Sequence, residues 1–389
     1  MALRLANVDL QKGILILYGM KKLLLLVICL TILACDNSSQ RDGRVAMPLD
    51  GKQGFTTIEN VVSKVQILPL VATDDVVLSS DNIVKCNDDY IVVIDRLHSG
   101  KIYIFGRDGR HRATIAAKGR GPHEYLDMAS VQLLDDSIMV YSYHKQSVLY
   151  YDYNGKFVGS EKLEFKPYNL YKTDTGYWGY VGFGSGQMSE RVVRMDSRGA
   201  IIDKYLPTEA KIFSMTEIND IFIECGEGIL VRESLMNEIS IINDGGASSY
   251  MRFDFGKYSI PQQYYEYADP MKAAEMLFAK DFAIIDNLFL CQQRFVMYIS
   301  RNVQGGKPSS DVVAIQQDGK WTKLETNKDD TLLHKAVKGV TSENELIILQ
   351  DEMSIRSFAA KHPQLLPADS LKYITNDEEK YHILLCQLK

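Results

Sequence analysis

Asp95, Arg96 and His98 stand almost side by side, and Glu124 follows within thirty residues. Carboxylate, guanidinium and imidazole groups are the kit of general acid–base chemistry. Converging on one pocket, they would suit a hydrolase or a lyase. Seven histidines are scattered along the chain, four of them (His98, His111, His123 and His144) close enough in sequence to meet on neighbouring elements. No HxH or HExxH spacing joins them, so no metal site is expected. Gly182 to Gly186 puts its serine fourth, not third, and is no nucleophile elbow. Phosphate-binding and dinucleotide fingerprints are absent. The sequence therefore assigns no catalytic residue and no cofactor; Asp95, Arg96 and His98 are kept as candidates for the mouth of a channel.

Aromatic residues offer a second kind of chemistry, stacking on sugars or anchoring an interface. Tyr141, Tyr143, Tyr150, Tyr151 and Tyr153 crowd one segment, where packing between sheets is the plainer use. Tyr264, Tyr265 and Tyr267 lie at the start of a helical insertion and are the expected partner surface.

One cysteine has a chemical assignment. Met20-Lys21-Lys22, the apolar run Leu23 to Leu33 and Ala34-Cys35 read as a secretory signal, too short to span a bilayer as a helix. Ile32-Leu33-Ala34-Cys35 has the form of a bacterial lipobox, whose cysteine is lipidated and becomes the new N-terminus. Residues 1–34 are thus signal, with translation expected to start at Met20. Residues 35–63 are the lipidated Cys35 and a flexible tether. Cys86, Cys225, Cys291 and Cys386 each end an apolar run, lack CxxC spacing and read as free thiols in strands.

Elements must now be found to carry these groups. Hydrophobic residues at 46% and charged residues at 24% describe a packed globular chain. The net charge of −6, or −9 without residues 1–34, excludes a nucleic-acid surface. Turn glycines preceded by a polar residue recur at Gly109, Gly155, Gly199, Gly245 and Gly319, spaced 46, 44, 46 and 74 residues apart. Each is flanked by short alternating strands. Four-stranded antiparallel units at such a period are the blades of a β-propeller. The long interval holds Asp269-Pro270 followed by Lys272 to Lys280, with the N-cap, first-turn proline and composition of a helix.

The expected fold is all-β, a six-bladed propeller over residues 64–389 with a helical insertion in the fifth blade; seven blades is the alternative count. The sixth blade draws on Lys335 to Val340, Glu345 to Leu349 and Ile355 to Ala359. An early strand, Lys64 to Leu70, and the final strand, Tyr381 to Leu388, are expected to share one blade and close the ring.

One loop is more specific than the period. Tyr90 to Tyr125 ends in Gly119-Arg120-Gly121-Pro122-His123-Glu124-Tyr125. This stretch resembles the six-bladed propeller lipoproteins of Bacteroidota, a family largely of unknown function whose first blade ends in Gly-Arg-Gly-Pro-Gly-Glu-Tyr; it is more distantly similar to NHL-type repeats. His123 replaces a glycine of that pattern. The loop is a candidate ligand contact, against the plainer use of locking two blades, with Arg120 and Glu124 as a possible ion pair.

Anchor, rim insertion and the lack of a catalytic constellation point to a monomeric, non-catalytic binding scaffold of the cell envelope, held at the outer membrane, for a peptide, a glycan or an envelope protein. A propeller enzyme at the channel mouth is the alternative, and a purely structural envelope protein the third.

Overall fold

The computed structural model describes residues 44–51, 53–71, 76–182, 188–210, 220–243, 245–267, 269–291, 294–301, 311–326, 337–375 and 377–389. The signal segment, Met20, Cys35 and most of the Gly182 to Gly186 loop lie outside these residues. Six antiparallel sheets follow one another along the chain. Blade 1 is Ile83–Cys86, Tyr90–Asp95, Lys101–Gly106 and His111–Ile115; blade 2 is Ser130–Leu133, Ser137–Ser142, Ser147–Asp152 and Phe157–Lys162. Blade 3 runs from Asn169–Thr173 to Ile201–Pro207, blade 4 from Phe222–Cys225 to Gly246–Asp254, and blade 5 from Ala283–Cys291 to Lys320–Thr326. The six-bladed expectation holds.

Local chemistry explains the period. At the turn between third and fourth strands, the carboxylates of Asp152 and Asp196 each accept two backbone N–H bonds, from Asn154 and Lys156 and from Arg198 and Ala200. Such Asx turns leave the following glycine in the left-handed region. Gly109 shows the constraint most sharply: its φ is +75°, and a Cβ there would lie 2.1 Å from the Pro69 carbonyl oxygen. Between blades, apolar side chains of facing sheets bury one another. Ile94, Ile104, Val140 and Leu149 fill the space between blades 1 and 2, and Leu230, Ile241, Met297 and Ala314 that between blades 4 and 5. Strands buried on both faces need no strict alternation, hence runs such as Ile91 to Ile94.

Blade 6 closes the ring. Its strands are Val337–Val340, Glu345–Asp351, Tyr381–Leu388 and, from the other end of the chain, Val62–Leu68. Val65 pairs with Cys386 and Leu68 with Ile383. Ile355 to Ala359, expected as a strand, belongs instead to the helix Glu352–Lys361. Asp351 caps that helix by accepting from the Ser354 N–H and hydroxyl, and Ile355, Phe358 and Ala359 bury one helical face. Cys386 is buried and its thiol is pushed up by burial, while Cys86 and Cys225 are half-buried thiols.

The ordered body begins before residue 64. Met47 and Leu49, expected in the tether, pack into the core between blades 4 and 5. From there the chain passes along the outer edges of four blades. A short strand ending at Ala46 joins the edge of blade 4, where the Met47 N–H donates to the Asp254 carbonyl. Gly54 and Thr56 bond to the Lys323 backbone on blade 5, Val62–Leu68 is the edge of blade 6, and Val71 exchanges bonds with Gly109 and His111 on blade 1. Residues 45–71 are a belt. The reason is apolar content: Met47, Leu49, Ile58, Val61 and Val62 have more to gain by burial than a tether would.

A buried polar knot fixes the closure. His382 Nδ1 accepts from the Leu70 N–H, so Nε2 carries the proton and donates to Glu352 at 3.1 Å. Burial alone would raise the Glu352 carboxyl. The Thr375 hydroxyl, His382 and the N–H groups of Asp377 and Thr375 outweigh it and hold the group at about 2, against an ordinary 4.5. Its folded value is depressed, so the stabilisation is complete above the unfolded value and is lost as pH falls towards the folded one. Stability is therefore expected to decline between about pH 5 and pH 2. Denaturant midpoints across that range check this; Glu352→Gln should start less stable and lose less on acidification.

Candidate functional site

Antiparallel alternation sorts the connections onto two faces. First-to-second and third-to-fourth turns share one face; second-to-third loops and blade-to-blade crossovers share the other. The first face carries only tight turns among the described residues. The second carries every long connection, including the helices Pro270–Ala279, between blades 4 and 5, and Glu352–Lys361, within blade 6. Asp269 caps the former by accepting from the Met271 N–H, as its sequence indicates.

The Gly119 to Tyr125 loop is the crossover from blade 1 to blade 2 on this face, and it is tightly held. Tyr125 is fully buried and donates to the Gly100 carbonyl at 2.7 Å. Glu124 accepts from the Gly121 N–H at 2.7 Å, and Lys145 donates to the carbonyls of Gly121, Pro122 and Glu124. His123 stacks on Phe157 with ring centroids 4.1 Å apart, and its carbonyl accepts from the Tyr151 hydroxyl. Neither Gly119, Gly121 nor His123 has positive φ. What requires glycine at 119 is proximity: a Cβ there would lie 2.1 Å from the Glu124 carboxylate. Arg120 is exposed, and no ion pair to Glu124 is seen among the described residues. The geometry is that of a lock between blades.

Asp95 is likewise structural. Its buried carboxylate accepts from the N–H groups of His98 and Ser99 and so shapes the loop Arg96 to Gly100. Burial would raise its pKa; the Ser99 and His98 donors bring it below the ordinary carboxylate value. That loop presents Arg96 and His98 at the channel mouth. The guanidinium of Arg96 is lowered by burial, against the pull of the Asp127 and Asp220 carboxylates. Asp220, at the entry to blade 4, bonds Lys85 of blade 1 at 2.5 Å. Blades 1 and 4 are opposite in a ring of six, so this pair crosses the axis. Asp127 in turn accepts from both the backbone N–H and the ring Nδ1 of His144.

His98 leads to the other side of the mouth, where its Nε2 lies 3.8 Å from the Asp81 carboxylate. Asp81 lines a cleft of about 260 Å³ between blades 5, 6 and 1. Leu97, Asn287, Tyr298 and Lys338 line it too. Tyr298 donates to Asp311 at 2.6 Å and Lys338 to the Ser80 carbonyl at 2.5 Å, which fixes both side chains. Arg96 and His98 thus share one loop on this face, while the carboxylates of Asp95 and Glu124 accept backbone N–H bonds in turns. Asp81, Lys85, Asp127, His144, Asp220 and Lys338 were not singled out for it, because they arrive from four blades with no local motif.

The insertion tyrosines are placed differently from expectation. Tyr264 is buried with Ile260, Ala273 and Phe282, and burial pushes its hydroxyl up to about 12. Tyr265 donates to the Leu235 carbonyl, and Tyr267 packs on the same cluster. These rings, with Ala273, Met276 and Leu277 of the helix, attach the insertion to the propeller. Outward lie Met271, Met353 and Tyr373. The tyrosines of blade 2 are also internal: Tyr141 donates to the Pro167 carbonyl and Tyr153 to that of Leu134. Among the described residues no group of three His, Cys, Asp or Glu side chains is arranged to hold a metal ion.

Solved structures with this architecture include a protein of Bacteroides fragilis, at a TM-score of 0.70 and 15% identity over 89% of this chain and 99% of that one. A member of the DUF4221 family from Bacteroides vulgatus aligns at a TM-score of 0.53 and 11% identity, over 85% and 97%. At these identities the likeness is one of fold. No curated protein matches the sequence. Residues 51–318, from the belt to the last turn of blade 5, match the family model described as Domain of unknown function (DUF4934), and the chain belongs to that family.

Proposed function

We propose that this chain is a binding scaffold of the cell envelope, lipidated at Cys35 and held at the outer membrane, whose partner docks on the insertion-bearing face around the channel mouth. The observation that carries this reading is the asymmetry of the ring. Among the described residues, the long connections, both ten-residue helices, the cleft and the cross-axis ion pair fall on one face, while the other has only tight turns. Long loops on a rigid frame are where binding residues concentrate. The signal and lipobox support export, and the Bacteroides fragilis neighbour is described as a protein thought to be exported. No helix among the described residues is long and apolar enough to cross a membrane; the lipobox at Cys35 supplies the proposed anchor. Partners in keeping with a polar, mixed-charge mouth are a peptide, a glycan or an envelope protein.

The test is photo-crosslinking in native envelopes, with the reactive residue at Leu97 or Met353 on one face and at Asn154 or Arg198 on the other. Adducts from the first pair alone are expected. Equal adducts from both pairs, or none from the first, would overturn the reading. Cys35→Ala should move the chain to the soluble fraction.

A propeller hydrolase or lyase is the second reading, favoured by one feature. Asp127 holds the exposed His144 ring through Nδ1 and its carboxylate also acts on Arg96, an arrangement able to move a proton. It requires turnover of a soluble glycan or ester that His144→Ala abolishes.

A further inference from the structure

The cleft at the channel mouth has a chemistry of its own. Its apolar wall is Ile83, Leu97 and Val337, from blades 1 and 6. Leu97 is 55% exposed, so its side chain is open to a ligand entering the cleft. Asp81 stands in the same cleft with its side chain 54% exposed, and the His98 ring Nε2 is beyond hydrogen-bond length from it at 3.8 Å. Lys338, the one lysine of the lining, donates to the Ser80 carbonyl, and Asp286 also lines the cleft. The space has an apolar flank and an acidic end.

We infer that this cleft receives a single basic side chain, lysine or arginine, presented by a protein partner. The methylene stem of such a side chain lies along Ile83, Leu97 and Val337, and its charged head meets Asp81. About 260 Å³ is at the small end of ligand sites and suits one long side chain better than an oligosaccharide. The chain's net charge of −6 favours approach of a basic partner. This inference rests on the scaffold reading and narrows its partner to a protein with an exposed cationic residue.

The experiment uses the folded full-length mature chain and capped amino acids as probes: acetyl-lysine amide, acetyl-arginine amide, acetyl-norleucine amide and acetyl-glutamate amide. Binding is followed by saturation-transfer NMR and calorimetry. Saturable binding of the two cations is expected, weakened by added salt, with norleucine and glutamate at least tenfold weaker. Asp81→Asn should reduce cation binding at least tenfold with an unchanged unfolding midpoint, and Asp81→Glu should restore part of it. Asp369→Asn, exposed on the sixth-blade insertion, should leave it unaltered. Equal binding of lysine and norleucine probes, absence of saturable cation binding, or an Asp81→Asn variant that binds like wild type would overturn the inference. If insertion-face crosslinks persist unchanged in Asp81→Asn, the basic-side-chain reading falls and the scaffold reading stands. If that face yields no crosslinks in wild type, the scaffold reading itself falls.

Discussion

A chain lacking residues 45–71 is expected not to fold cooperatively. The deleted belt buries Met47, Leu49, Ile58, Val61, Val62, Val65 and Leu70, all at least nine-tenths buried. At about 1.5–3 kcal/mol for each fully buried side chain, that is on the order of 10–20 kcal/mol, comparable to or larger than the roughly 5–15 kcal/mol by which a domain is stable. The loss is also topological. Without Val62–Leu68, the strand Tyr381–Leu388 keeps only Glu345–Asp351 as a partner and becomes an open edge at the point where the ring must close. Near-UV circular dichroism and a denaturant titration would show the outcome as absent tertiary signal and no sigmoidal transition. A cooperative transition near the wild-type midpoint would mean that the belt is an accessory. Deleting 45–56 alone, which spares the closing strand, should leave a folded but weakened protein.

The second large effect is expected at a buried ion pair joining blades 3 and 4. Arg191 Nη1 donates to Glu233 at 2.5 Å, with side chains 8% and 2% exposed, and the Tyr180 hydroxyl donates to the other carboxylate oxygen at 2.9 Å. Removing one partner leaves a charge stranded in the interior, which costs about 3–5 kcal/mol. Glu233→Ala should therefore lower the unfolding midpoint by on the order of 10 °C, measurable by calorimetry. Replacing both charges together, Arg191→Met with Glu233→Leu, should recover most of that loss, because the desolvation penalty goes with the charges. If the double variant is as unstable as the single one, packing and not charge is what the site supplies.

Much of the ring was legible before any coordinates, and particular residues show why. Asp152 and Asp196 with their following glycines make turns whose hydrogen bonds span only four residues, so their spacing exposes the blade period directly. The closing pair was legible because both strands are apolar runs near the chain ends. Ile355 to Ala359 was misread because a short apolar stretch fits either a strand or one helical face, and only the Asp351 cap and the burial of Ile355, Phe358 and Ala359 decide between them. The tether was read too long for a similar reason: Met47 and Leu49 are isolated apolar residues, and their burial depends on blades far along the chain, from Ile223 onwards.

For the site, the divide follows interaction range. Sequence by itself determined the period of the blades and that the loop after blade 1 is built around glycine and Glu124, and it carries the expectation of an export signal ending at Cys35, since each of these is written in contiguous residues. Tertiary structure alone decided that Glu124 and Asp95 serve turns, that Tyr264 faces inward, and that Asp81, Arg96, Asp127 and Asp220 meet at one mouth. A propeller brings one loop from each blade to a common axis, so the residues that share its mouth are separated by whole blades in the chain. No local pattern can encode that meeting; only the closure of the ring produces it.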